Sequence, residues 1–259
     1  VTNAVLQISD CHLVVPGGSL IGVDTQASLE AVLAQACAEA TPDAIIASGD
    51  LAHDPSRDVY LRFVETVRRY SSAPLLCLPG NHDVLEVMQA ARLPMQTLEL
   101  GRWSIVWLDS HEDELPVSLV SEQDRQQTGK ALQLALGQHA LVATHHPLIS
   151  VNSPWLDKDR IQSAVELIEY LAECSVIGGD VRLRSVVFGH AHQDVEGHCA
   201  KVPVYGAPST CFQFKPGSEK FAIDTLSPGY RWLYLADDGG VTTQIRRVES
   251  FSIHVQLDA

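Results

Sequence analysis

With 259 residues, 46% of them hydrophobic and 19% charged, the chain is long enough to bury one large core without crosslinks, and it is read as a single domain over 1–259. A formal net charge of -14 excludes sequence-independent binding to nucleic acid polymers or to an anionic membrane, because both need a basic surface. The six cysteines are dispersed with no C-x-x-C pair, and no apolar run approaches the roughly 18 residues of a membrane span, so a reducing, cytoplasmic setting is expected.

In chain order, the first apolar run, 4–9 (AVLQIS), reads as a strand and leads into Asp10-Cys11-His12. Residues 14–24, with Pro16, Gly17 and Gly18, read as a long loop, and helical spacing follows over Ser28–Ala40. AIIAS (44–48) is a second strand ending in Gly49-Asp50, with a helix over Asp58–Tyr70 behind it. LLCLP (75–79) leads to Gly80-Asn81-His82-Asp83. WSIVWLD (103–109) and ALVATH (140–145) are further strands separated by an acidic loop, 111–118, and the second ends in His145-His146. A helix over Asp159–Cys174 precedes SVVFG (185–189), which leads into Gly189-His190-Ala191-His192. Beyond it, 202–206, 230–235 and 241–248 read as successive strands, with a loop at 213–229 that holds two Pro-Gly pairs. Strands alternating with helices, followed by strands alone, predict a mixed α/β fold built on one mixed sheet or two stacked sheets. The three long loops are expected to border the functional site.

Five polar clusters thus follow five predicted strands, and strand ends in an open α/β sheet face a common crevice. Asp10 and His12, and again His190 and His192, are two residues apart, where the strand period would turn both side chains to one side. Together with Asp50, Asn81 and His145 they offer carboxylate, imidazole and amide ligands but no thiolate, which suits manganese, iron, zinc or nickel better than copper(I). Seven ligands are too many for one ion and enough for two, about 3.5–4 Å apart, if Asp50 bridges them. Two such ions bring four positive charges against Asp10 and Asp50, so an anion can be drawn locally into an acidic chain.

Simpler readings weigh against each cluster taken alone, since D-x-H, Gly-Asp and Gly-Asn also occur as ordinary turns. The series of five carries the inference. Cys11, between two candidate ligands, is expected to point the other way as a small core residue. His53, His111, His139, His198 and His254 are read as surface or satisfied histidines. His146 has two open readings, being next to a candidate ligand yet on the opposite face of a continuing strand. The chain has no G-x-x-x-x-G-K-[ST], no G-x-S-x-G, no dinucleotide-binding glycine fingerprint and no cysteine set for a structural zinc.

The order D-x-H, GD, GNHD, H, GHxH over residues 10–192 resembles the calcineurin-like metallophosphoesterase superfamily. That resemblance implies a four-layer αββα sandwich of two mixed sheets. It also implies one metal held by Asp10, His12, Asp50 and His192, and a second held by Asp50, Asn81, His145 and His190. Further stretches are similar to the class III cyclic-nucleotide phosphodiesterases of the bacterial cAMP type. They are QISDCHL (7–13), IGVDTQASLEAVL (21–33), GDLAHD (49–54), LPGNHD (78–83), HHPLISVNSPWLD (145–157) and GAPSTCFQFKPGSEKFAIDTLSPGYR (206–231). Cys11 and His53 are unusual for that group, and neither removes a ligand.

The closer resemblance implies hydrolysis of 3′,5′-cyclic AMP, and by extension cyclic GMP, to the 5′-monophosphate by a hydroxide held between the metals. Iron and manganese are the implied pair, with zinc and nickel as the other candidates. His12, Asn81, His82 and His192 would contact the substrate, His82 would assist the leaving oxygen, and Asp83 would fix the orientation of His82. Trp155 and Phe212 could stack on a purine or belong to the core. The implied partner is a small molecule, and the oligomeric state is not legible. Two rival readings remain: a broader phosphodiesterase or phosphomonoesterase acting on 2′,3′-cyclic nucleotides or other esters, and a non-catalytic interaction module on the same fold. The complete ligand set argues against the module, because a scaffold has no use for so costly a polar cluster.

Overall fold

A computed structural model describes residues 2–113 and 115–253; Val1, Glu114 within the predicted acidic loop, and 254–259 including His254 lie outside the described residues. The elements begin with β1 (Thr2–Ile8), α1 (Thr25–Glu39), β2 (Ala44–Ser48), α2 (Arg57–Tyr70), β3 (Leu75–Leu78) and α3 (Leu85–Ala90). They continue with β4 (Leu98–Leu100), β5 (Trp103–Trp107), α4 (Glu122–Leu134), β6 (His139–Ala143) and α5 (Ala164–Cys174). After a small hairpin, β7 (Val176–Ile177) and β8 (Asp180–Val181), come β9 (Leu183–Phe188), β10 (Val195–Cys199), β11 (Val202–Gly206), β12 (Gly229–Ala236) and β13 (Val241–Arg247).

Two mixed sheets result, in the orders β13-β12-β1-β2-β3 and β10-β11-β9-β6-β5-β4. In the first, β1, β2 and β3 are parallel while β12 and β13 are antiparallel additions. In the second, β5, β6, β9 and β11 are parallel and both edge strands are antiparallel.

Side-chain alternation along the strands separates three cores and so stacks four layers. Val5, Ile46, Leu76 and Leu78 face Ile105, Leu141, Ala143 and Val187 between the two sheets. The alternate residues Leu6, Ile8, Ile45 and Ala47 pack outward on Leu29, Val32 and Leu33 of α1 and Tyr60 and Phe63 of α2. On the far side Val106, Val142, Val186 and Phe188 pack on Leu132 of α4 and Leu167, Ile168 and Leu171 of α5. This is the αββα sandwich. Burial on both faces explains why Ala44–Ala47 of β2 is a continuous apolar run rather than an alternating one.

Several boundaries differ from the sequence reading for local reasons. α1 starts at Thr25 rather than Ser28, because Asp24 caps it by accepting from Ala27 N at 2.9 Å. Ser28 is instead buried, donating its hydroxyl to Thr210 O at 2.6 Å. The last predicted helix begins at Ala164 and not Asp159, so the residues before it form turns that carry Trp155 and Asp159. α4 has only Thr128, Gly129 and Leu132 buried, too sparse a stripe to show as periodicity, although its Ser121–Asp124 capping box was a readable start. Among the described residues no helix is long and apolar enough to cross a membrane.

Candidate metal centre

Four of the five strands end one or two residues sooner than predicted, β2 ends at Ser48 as read, and each polar cluster lies just beyond one of them. Asp10 and His12 follow β1, Asp50 follows β2, Asn81 follows β3, His145 follows β6, and His190 and His192 follow β9. Convergence therefore does not come from the strand period of two. Asp10 (φ 53), His12 (φ 46), Asp50 (φ 51), His190 (φ 62) and His192 (φ 49) all adopt the left-handed conformation, which costs a non-glycine residue roughly 1–2 kcal/mol. Such strain persists where the surroundings fix it. Here Asp10 N donates to Gly49 O at 3.0 Å, His12 N to Asp50 O at 2.9 Å, and His190 N to both Asp10 carboxylate oxygens at 3.1 Å. Gly80 is required by the close approach of the chains, because a Cβ there would lie 2.2 Å from Asp50 Oδ1 and 2.3 Å from Asp50 N.

The side chains form two donor sets. In the first, His12 Nε2 lies 3.1 Å from His192 Nε2 and 3.5 Å from Asp50 Oδ2, and His192 Nε2 lies 3.4 Å from Asp10 Oδ1. In the second, Asn81 Oδ1 lies 3.2 Å from His145 Nε2 and 2.9 Å from His190 Nδ1, and His145 Nε2 lies 3.6 Å from Asp50 Oδ1. All seven residues are buried, and Asp50 gives one oxygen to each set.

The tautomers show what such a cluster needs. His145 Nδ1 donates to Ser48 O at 2.9 Å and His192 Nδ1 to Phe212 O at 2.7 Å, so in the neutral rings both Nε2 atoms present a lone pair. Those lone pairs face carboxylate and amide oxygens, which are acceptors too. Buried acceptors turned on one another are unfavourable unless cations lie between them. The donor set therefore fits two divalent ions, one for each group, and backbone carbonyls orient the rings as metal-binding histidines require. Burial, reinforced by His192, His82 and His53, holds the His12 pKa well below its ordinary value and so keeps the ring neutral. Burial alone would raise Asp10, but His192, His145 and the Ser9 hydroxyl together outweigh it and leave the carboxyl below the usual range.

His82 is exposed, with its ring edge-on to His12 at 4.9 Å and its backbone N donating to Asp50 Oδ1 at 2.9 Å. Asp83 corrects the sequence reading. Its buried carboxylate accepts from Leu51 N (3.1 Å), Ala52 N (3.1 Å), Gly80 N (2.9 Å) and Tyr60 Oη (3.0 Å), so it clamps the two ligand loops together and does not orient the His82 ring. Burial and then the charge of Asp50 push Asp83 up to about 7, against the three amides that favour its ionised form.

His53 is the second correction. It is neither a surface nor a satisfied residue, because its half-buried ring stands 5.0 Å from His82 and 5.9 Å from His12, and its Nδ1 is buried without a partner. The other histidines follow the sequence reading, with His111 held by Asp109 and Asp113, His139 on Asp237 O, and His198 exposed. His146 resolves to a structural role, with both ring nitrogens engaged by Ser110 Oγ (3.0 Å) and Pro116 O (3.1 Å). Cys11 is buried in the core beneath α1 and α2, as expected. Phe212 packs on the rings of His12 and His192, so it supports candidate ligands.

Asp159 was not identified from the sequence as a site residue. Its Oδ2 lies 3.5 Å from His190 Nε2, and a lone aspartate before an amphipathic run gave only a helix-start signal. A cavity of about 320 Å³ opens over the donors. The three predicted loops reach it through Leu20 and Ile21, Pro116, and Phe214 and Phe221, and Trp155 lines it as well.

The model of the calcineurin-like phosphoesterase family matches residues 4–194, and the chain belongs to that family. Membership brings a dinuclear divalent-metal site with His and Asp ligands. Among curated relatives, the 3′,5′-cyclic adenosine monophosphate phosphodiesterase CpdA of Pseudomonas aeruginosa is 36% identical over 262 residues, covering 98% of this chain and 93% of the relative. The enzyme of the same name from Escherichia coli K12 is 34% identical over 252 residues, covering 94% and 89%. Among solved structures, a purple acid phosphatase from yellow lupin seeds superposes with a TM-score of 0.63 at 12% identity, over 98% of this chain and 53% of that one. TT1561 of Thermus thermophilus gives 0.58 at 12% identity, over 96% and 100%. At that identity the two structures bear on the fold alone.

Proposed function

We propose that the chain is a metal-dependent phosphodiesterase that hydrolyses 3′,5′-cyclic AMP to 5′-AMP. The observation that carries this reading is the pair of buried acceptor sets sharing Asp50 beside an aromatic cavity. It is supported by the near full-length match to relatives that carry the cAMP phosphodiesterase name. In this reading Asp10, His12, Asp50 and His192 hold one ion and Asp50, Asn81, His145 and His190 the other. We assign iron and manganese, which suit a donor set of nitrogen and oxygen without thiolate. Bound there, the ions supply Lewis acidity at the phosphoryl oxygens and lower the pKa of water so that a nucleophile is available at neutral pH.

The chain's own residues complete the reaction. Water adds to phosphorus, the P–O3′ bond breaks, and the departing 3′ oxygen takes a proton from the His82 imidazole, which lies at the cavity and is open to solvent for reprotonation. Asn81, His12 and His192 border the phosphate, and Asp83 keeps the loops of Asp50 and Asn81 in register. The six cysteines are free, which supports a cytoplasmic setting. Chromatographic product identification with metal-loaded protein tests the reading on 3′,5′-cAMP, 3′,5′-cGMP, 2′,3′-cAMP and an aryl phosphodiester. Formation of 5′-AMP from 3′,5′-cAMP is expected. Brisk turnover of the 2′,3′ isomer or the aryl ester with no 5′-AMP from 3′,5′-cAMP would replace it with the broader phosphodiesterase reading.

A further inference from the structure

The candidate ligands account for only part of the cavity lining. Three rings from two segments meet in the remainder, with Trp155 and Phe214 centroids 4.9 Å apart, Trp155 and Phe221 5.6 Å apart, and Phe214 and Phe221 5.6 Å apart, all edge-to-face. The segment carrying the two phenylalanines folds back on itself through Lys215 N to Ala222 O (2.8 Å) and Asp224 N to Gln213 O (2.9 Å). It is tied to the Trp155 segment by Gly217 N donating to Ser153 Oγ at 3.2 Å. Phe214 stacks on the His192 ring at 4.1 Å and 17°, so one of its faces is already used. Phe221 is 51% exposed although its segment is well anchored. Together with the Trp155 and Phe214 rings it meets, it makes a contiguous apolar patch on the cavity wall, and such patches mark ligand-binding grooves.

We propose that Trp155 and Phe221 form a nucleobase site, held by Phe214 one ring away from the candidate ligand His192. This inference rests on the phosphodiesterase reading and names its substrate class. A nucleoside cyclic phosphate has a phosphate fused to the ribose and a base a few bonds away, which matches an aromatic cluster adjoining the ligand set. The base is held by its faces and not read at its edges. Among the described residues lining the cavity, the polar side chains are the candidate ligands together with His53, His82 and Asp159, and the remainder are aliphatic, proline or aromatic, the one N–H among them, the Trp155 indole, being buried away from the cavity surface. The exocyclic groups that distinguish adenine from guanine therefore meet no specific partner in the aromatic part, and stacking accepts either purine. The substrate class is cyclic purine nucleotides, with adenine and guanine treated alike.

The test compares kcat/KM on 3′,5′-cAMP and 3′,5′-cGMP with that on a base-free control, methyl ribofuranoside 3′,5′-cyclic phosphate, which keeps the same leaving group. In Trp155→Ala the advantage of each cyclic nucleotide over the control should fall roughly tenfold, mostly through KM, as expected for a removed stacking ring. Trp155→Phe should recover most of it. Because Trp155 also packs against the core beside α5, Phe221→Ala is the second variant, and it should reduce the same ratio about threefold or more. Unchanged ratios in both variants, or a loss as large on the base-free ester, would overturn the base site and leave the phosphodiesterase reading intact. A wild-type preference of more than about twentyfold for one purine would also overturn it, since recognition by faces cannot separate them so far. Failure of the wild type to turn over either cyclic nucleotide would remove both conclusions.

Discussion

Replacing Asp83 separates a structural clamp from a catalytic role. Its carboxylate takes four buried donors, two on each oxygen: Ala52 N and Tyr60 Oη on Oδ1, Leu51 N and Gly80 N on Oδ2. In Asp83→Asn the new amide group faces either Leu51 N and Gly80 N or Ala52 N and the Tyr60 hydroxyl, and since a hydroxyl can turn to accept, at least one buried N–H is left without an acceptor. In Asp83→Ala all four are orphaned. At the low end of about 1–3 kcal/mol for each unsatisfied donor, the losses are at least about 1 and about 4 kcal/mol. The total stability of a domain is only about 5–15 kcal/mol. At about 2–4 °C per kcal/mol for a chain near this size, Asp83→Ala should lower Tm by about 10 °C, and Asp83→Asn by at least about a quarter as much. Because the clamp joins the loop that carries Asp50 to the loop that carries Asn81, bound metal should fall in parallel. Scanning calorimetry with elemental analysis measures both. A wild-type Tm and metal content in both variants, with reduced turnover and a displaced limb of the kcat pH profile, would refute the clamp and restore an action through His82.

His82→Ala should keep its metal and lose roughly 10²–10⁴-fold in turnover of 3′,5′-cAMP, with a smaller loss on a p-nitrophenyl ester whose leaving group needs no proton; equal losses would contradict the proton-donor role. Asp159→Asn should weaken metal binding at the His190 set roughly 10–100-fold, read by metal titration of the stripped protein, and an unchanged affinity would show that the 3.5 Å approach has no effect on the ligand. Burial lowers the pKa of His111, but the Asp109 and Asp113 carboxylates outweigh it and raise the value overall. Its contribution is therefore fully present below an unfolded pKa of about 6.5 and lost as pH rises through the higher folded one. The stability difference between wild type and His111→Gln, from urea unfolding, should shrink as pH rises from about 5.5 to about 8.5, and a difference that grows would contradict the pairing.

The seven-residue cluster was legible because each member follows an apolar run, and polar side chains at the end of a buried strand must find a partner to offset their burial. Its geometry was not legible. The strand period placed Asp10 beside His12 for the wrong reason, since the left-handed turns that aim them are set by hydrogen bonds donated to the carbonyls of Gly49 and Asp50, about forty positions away. His53 and Asp159 are isolated polar residues whose roles depend on what packs against them, which single-sequence reading does not supply. The same limit applies to the sheets. The pairing of β1 with β12 joins Thr2 to Ala236, a contact that no local pattern encodes, whereas the weak amphipathicity of α4 and the short lengths of α3 and β4 hid elements that tertiary packing stabilises. The loops at 14–24 and 213–228 and the described part of 111–118 were legible, because length without periodicity is itself a signal, although Gly229 already belongs to β12.

The central claim is that this chain turns over a cyclic nucleotide only with two ions bound across Asp50. Stripped protein titrated with manganese(II), with bound metal per chain and 5′-AMP formation from 3′,5′-cAMP followed together, tests it most directly. Turnover should stay near zero through the first equivalent and rise with the second, and Asp50→Ala should show neither the second equivalent nor the activity. Full turnover by metal-free or singly loaded protein, or no 5′-AMP at two ions per chain, would contradict the claim.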